Sequence, residues 1–149
     1  MVMLDISNDY GYVLLTAAST VFVNMWHATL TSKARKASGI GYPNAYATAE
    51  QARDSPAAYN LNCAQRAHAN FTENLTPFMA SLLISGTRYP VQSAVMGAGW
   101  LVSRIAYTAG YTSSNGPKGR LTGAIGHYLF GLSLALTACY TSVQMVRGA

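Results

Sequence analysis

The chain has 149 residues, half of them apolar and only 10% charged, with ten Lys and Arg against five Asp and Glu for a formal charge of +5. A soluble domain carries about 25% charged residues, so this composition excludes an ordinary water-facing surface. A mean hydropathy of only +0.15 fits a membrane protein whose spans are rich in Gly, Ala, Ser, Thr and Tyr, the residues used at helix contacts and interface belts.

Residues 10–32 contain no Lys, Arg, Asp or Glu, enough for one crossing at roughly 20 residues. A signal peptide needs a basic leader, whereas Asp5 and Asp9 precede this run, so we read it as a retained helix. Lys33, Arg35 and Lys36 end the span, and a polar stretch rich in Gly, Pro, Asn and Ala follows to about residue 56. A second span is predicted over 57–86, a turn at Arg88-Tyr89-Pro90, and a third span over 91–112. Asn115-Gly116-Pro117 breaks the chain by turn chemistry, and the fourth span, 121–146, is free of these charges. The reading is an all-α membrane protein: one domain over 1–149, a four-helix transmembrane bundle without linker or repeat.

Four spans put both termini on one side. Loops one and three hold Lys33, Arg35, Lys36, Arg53, Lys118 and Arg120, against Arg88 and Arg147 opposite, beside Asp5 and Asp9. The excess of Lys and Arg places loops one and three in the cytosol.

Arg66, Glu73 and Arg104 fall inside predicted spans, where each costs about 2.5–3.5 kcal/mol at mid-bilayer unless it has a partner or a ligand. Asn62, Arg66, Asn70 and Glu73 recur at i, i+4, i+8 and i+11, one stripe on one helix face. Arg104, Tyr107 and Tyr111 recur at i, i+3 and i+7, a second stripe. Both stripes lie toward the cytosolic ends of their helices, level with Arg35, Lys118 and Arg120. Structural ion pairs account for such groups in part, but two arginines with one carboxylate leave positive charge for an anionic ligand.

The runs Asp9-Tyr10-Gly11-Tyr12-Val13-Leu14-Leu15-Thr16, Ser32-Lys33-Ala34-Arg35-Lys36 and Asn62-Cys63-Ala64-Gln65-Arg66-Ala67-His68-Ala69-Asn70 carry a family likeness. With Tyr42-Pro43, Glu73 and the Arg104–Tyr107–Gly110–Tyr111 pattern, the chain resembles the membrane-associated eicosanoid and glutathione metabolism family, nearest its type-three microsomal glutathione transferase branch. The resemblance implies a homotrimer with sites between subunits near the cytosolic face. It also implies glutathione as co-substrate and a lipophilic electrophile or lipid hydroperoxide as second substrate. The membrane it implies is the endoplasmic reticulum first and the mitochondrial outer membrane second. Carried over by motif, Arg35, Arg66, His68, Asn70, Glu73, Arg104, Tyr107 and Tyr111 bind glutathione. Arg120, or alternatively Lys118, activates the thiol. Asn74 stands where relatives that make leukotriene C have Tyr, and the segment 112–120 aligns poorly.

The residue types suit that ligand. Arg supplies bidentate donors for two carboxylates, and Glu73 an anion for the ammonium. A lipid-presenting scaffold of the same family and a small channel or carrier subunit are the rival readings. Other features are bland: Cys63 and Cys139 form no metal spacing, Asn70-Phe71-Thr72 and Asn74-Leu75-Thr76 match a glycosylation pattern inside a span, and His27 and His127 read as helix-to-helix bonding groups. No nucleotide loop or nucleic-acid surface is present in the sequence, and the juxtamembrane basic residues also suit anionic lipid headgroups.

Overall fold

A computed structural model describes residues 7–148, so Asp5 lies outside the described residues. Among them every regular element is a helix: α1 (Tyr10–Ser38), α2 (Ala49–Asp54), α3 (Pro56–Gly86), α4 (Pro90–Tyr111) and α5 (Leu121–Val146), with a 3-10 turn at Gly116–Lys118. The long helices pack side by side, α1 and α5 each against α3 and α4, and α3 against α4.

Local chemistry sets the boundaries. The Ser55 side chain caps α3, with Pro56 in its first turn; Pro90 opens α4 in the same way. α1 ends where Gly39 turns left-handed at φ 69°, a conformation that costs glycine little. It therefore runs six residues beyond the predicted span. Lys33, Arg35 and Lys36 end what the membrane accepts, but Ala, Lys and Arg are good helix formers, so the helix continues. The polar stretch after it contains α2, nucleated by a capping box in which Thr48 and Gln51 bond each other's backbone N–H.

Burial is inverted relative to a soluble helix. The covered face of α1 reads Val13, Thr16, Thr20, Val23, His27, Thr31 and Arg35, whereas Leu15, Phe22 and Met25 are at least 61% exposed. α5 buries Gly123, His127, Leu134, Ala138 and Thr141 and exposes Leu121, Ile125, Leu129, Leu132 and Leu136. Apolar outside and polar inside is the pattern of helices solvated by acyl chains, where helix contacts need small and hydrogen-bonding residues. The segments Tyr10–Ser38 and Gly116–Val146 are also long and apolar enough to cross a membrane, and little of either is buried.

The apolar core is small: Phe78 stacks on Trp100 at 3.9 Å, with Val13, Phe71, Leu82 and Leu134 around them. α4 and α5 approach through glycine. A side chain on Gly123 would meet the Ser103 carbonyl and the Tyr107 backbone, and one on Gly119 the backbone of Gly110. That contact fixes the register of α5 against Tyr107 and Tyr111, which frame the candidate site.

Candidate functional site

The stripe on α3 divides its work along the helix. Asn62 acts as a clip: its amide accepts from the Ala47 N–H at 2.8 Å and donates to the Ala47 carbonyl at 3.0 Å, holding the α1–α2 loop down. Two turns apart, Arg66 and Glu73 form an ion pair of 2.9 Å on the outer face, their side chains 48% and 53% exposed. Between them Asn70 is half-buried and accepts from Arg104 at 2.9 Å, while Asn74 donates to the Asn70 carbonyl at 2.7 Å.

Arg104 is fully buried and bonds no carboxylate. Its Nε and Nη2 meet no protein acceptor; instead the guanidinium lies 4.5 Å from the Tyr107 ring centre, 5.7 Å from Trp100 and 5.9 Å from Phe71. Aromatic faces attract a cation by their quadrupole, which offsets part of the desolvation. Tyr107 and Tyr111 pack on Cys63 and Ala67, which places the two phenol rings of α4 against α3. Cys63 is thus a buried packing residue; Cys139 is exposed, and neither is in a disulfide.

Arg35 and His68 belong to another face. Arg35 reaches back over the loop, donating to the carbonyls of Ile40 at 3.3 Å, Asn44 at 2.7 Å and Ala45 at 2.8 Å, with Tyr42 over its guanidinium at 4.7 Å. His68 bonds Asn24 of α1 at 3.1 Å. With Pro43 and Gln65 they line a groove of about 320 Å³ between α1, the loop and α3. The nominated residues therefore form two sets on one chain, Arg35 with His68 and Arg66 with Asn70, Glu73, Arg104, Tyr107 and Tyr111.

Arg120 and Lys118 are both exposed at the head of α5. Gly119 packs on the backbone of Gly110, which brings the chain at Arg120 to the end of α4 where Tyr111 stands. Deeper in the same flank, α3, α4 and α5 enclose a groove of about 190 Å³ lined by Asn74, Pro77, Phe78, Trp100, His127 and Tyr128. Among the described residues no three His, Cys, Asp or Glu side chains converge as a metal site. His27 instead bonds the Val23 carbonyl and Thr108 of α4.

Sequence reasoning passed over Asn24, Gln65, Trp100 and Thr108. Asn24 was within reach: Asn24, His27, Thr31 and Arg35 recur at i, i+3, i+7 and i+11, the same polar-stripe signal used for α3. Residues 13–140 match the MAPEG family, a span that covers every residue of both sets.

Proposed function

The chain belongs to the MAPEG family, and we propose that it is a membrane-bound enzyme that activates glutathione against lipophilic electrophiles or lipid hydroperoxides. Within the family we place it with the type-three microsomal glutathione transferases. Membership itself places the chain in glutathione-related or eicosanoid metabolism at a membrane.

The observation that carries the reading is the half-exposed Arg66–Glu73 pair on the outer face of α3. Two charged groups facing hydrocarbon are costly, so this face needs a polar cleft. A neighbouring copy supplies one if its Arg35–His68 groove closes over Arg66 and Glu73, which joins the two half-sets in a homotrimer with four membrane-spanning helices per chain. In that cleft Arg66 and Asn70 meet the ligand's carboxylates and carbonyls and Glu73 meets its ammonium, while Arg35, held by the loop carbonyls, shapes the wall that the neighbouring copy brings.

Arg120 then serves the thiol. Glutathione resembles cysteine in having a thiol pKa near 8.5, so about a few per cent is thiolate at neutral pH. A guanidinium beside the sulfur favours the thiolate, and a two-unit drop needs about 2.7 kcal/mol. We assign Arg120 rather than Lys118 because a guanidinium is weakly hydrated and keeps its charge when partly buried, whereas a lysine there gives up its proton more readily. The thiolate attacks an electrophilic carbon, displacing its leaving group or adding across an activated double bond, or it attacks the outer oxygen of a hydroperoxide, where O–O cleavage gives the alcohol and a glutathione sulfenic acid that a second glutathione converts to the disulfide and water. The groove beside Trp100, lined by Pro77, Phe78 and Leu132, suits the apolar part of that second substrate. The endoplasmic reticulum, with loops one and three cytosolic, is the setting we propose.

Glutathione-dependent turnover by purified protein tests the reading. Conjugation or peroxide reduction that saturates with glutathione supports it. Lipid binding without turnover assigns a presenting scaffold, and ion flux without glutathione binding assigns a channel.

A further inference from the structure

We infer that Arg104 never touches the ligand and is a positioning residue, setting the Asn70 amide so that its NH2 faces the glutathione cleft. The inference rests on the reading that Asn70 binds glutathione. Arg104 is fully buried, so a ligand cannot reach it, yet its Nη1 donates to Asn70 Oδ1 at 2.9 Å. A guanidinium has five donors and no acceptor, so the oxygen of Asn70 must turn inward. The oxygen and nitrogen of an amide diverge at its planar carbon, so with the oxygen held by Arg104 the NH2 is turned away from the guanidinium, and we assign it to the cleft side of the α3 stripe.

Without that constraint the terminal torsion of an asparagine is broad and two-fold, and the oxygen can turn out as readily as the nitrogen. An outward oxygen repels a carboxylate or carbonyl of the ligand; an outward NH2 binds it. Arg104 is suited to hold one orientation. Trp100 and Tyr107 of its own helix and Phe71 of α3 surround its guanidinium, and its Nε and Nη2 donate to no protein acceptor. No carboxylate among the described residues bonds it, and its charge polarises the amide it holds, making the outward N–H a stronger donor. Asn74 donates to the Asn70 carbonyl and adds a second bond to the same residue.

An alternative role for Arg104 is to tie α4 to α3, and a double-mutant cycle on the purified full chain in detergent separates the two. Glutathione affinity is measured by calorimetry for the native protein, Asn70→Ala, Arg104→Met and the double variant. Each single change should weaken binding about tenfold, the scale of one hydrogen bond to a charged group. The double variant should bind no worse than Asn70→Ala, because Arg104 acts only through Asn70. Arg104→Met should also raise KM for glutathione and leave kcat at saturating glutathione within about threefold. Should Arg104→Met fail to fold, Asn70→Asp carries the test: it keeps an acceptor for Arg104 and loses the outward NH2. It should melt at least as high as the native protein and bind glutathione worse than Asn70→Ala. Additive losses in the cycle, or near-native binding by Asn70→Asp, overturn the inference. No glutathione binding by the native protein, or none lost in Asn70→Ala, instead overturns the reading beneath it.

Discussion

Arg66 donates to Glu73 at 2.9 Å across two turns of α3, and both side chains are about half exposed on a helix that otherwise packs through small and apolar residues. The pair is left half uncovered by its own chain. Its charge is therefore available for a ligand. Glu73→Gln keeps the shape and removes the charge. We expect glutathione binding to weaken by about 1.5–3 kcal/mol, the range for hydrogen bonds to charged groups, with little change in melting temperature. Calorimetry beside thermal unfolding checks this; a lost oligomer at unchanged affinity assigns Glu73 to assembly.

Arg35 and Asn62 both hold the loop between α1 and α2, Arg35 by the carbonyls of Ile40, Asn44 and Ala45 and Asn62 by both backbone groups of Ala47. Arg35→Met leaves three carbonyls without their donor. It should lower stability by about 2–3 kcal/mol and speed protease cleavage between residues 39 and 48. Cleavage at the native rate rules out the clip.

His27 joins α1 to α4. Its Nδ1 faces the Val23 carbonyl at 2.8 Å and must carry the proton, so Nε2 accepts from the Thr108 hydroxyl at 2.7 Å. Thr108→Val strands that buried nitrogen and should cost about 1–3 kcal/mol, while Thr108→Ser should retain most of the stability. Thermal unfolding in micelles distinguishes them; equal melting points for both variants contradict the assignment.

The long helices were legible because charge-free runs, turn dipeptides and prolines bound them: the predicted 121–146 coincides with α5, and 57–86 and 91–112 lie within one residue of α3 and α4. The polar stripes were equally legible as periodicity. What periodicity cannot supply is which partner each group takes. Glu73 had two arginines within plausible reach, and Arg66 on the same helix face is the one it meets. Arg35 looked like a ligand group by motif, yet loop carbonyls only five to ten residues away occupy its donors. α2 was missed because a six-residue helix signalled by a capping box offers no periodic run. The Trp100 and Phe71 faces around Arg104 depend on the packing of α3 against α4, which a single helix pattern does not encode.

Gly123 tests whether the α4–α5 contact sets the site. Any side chain there meets the Ser103 carbonyl and the Tyr107 backbone, which no rotamer change relieves. Gly123→Ala should push α5 away from α4, cost about 1–3 kcal/mol, and lower turnover by displacing Arg120 from Tyr111. Kinetics and unfolding measured on the same preparation check it; native turnover in a destabilised variant confines the glycine to packing.

The central claim is that this chain binds glutathione and lowers its thiol pKa through Arg120. Ultraviolet absorbance of the thiolate, followed against pH on the purified protein saturated with glutathione, measures that directly. The account predicts an apparent pKa about two units below the solution value near 8.5, so thiolate present at neutral pH is lost as pH falls through about 6.5. Arg120→Ala should return the transition toward the solution value with little loss of binding, and Lys118→Ala should leave it in place. Bound glutathione that titrates as it does in solution, or a shift that depends on Lys118 and not on Arg120, contradicts the account.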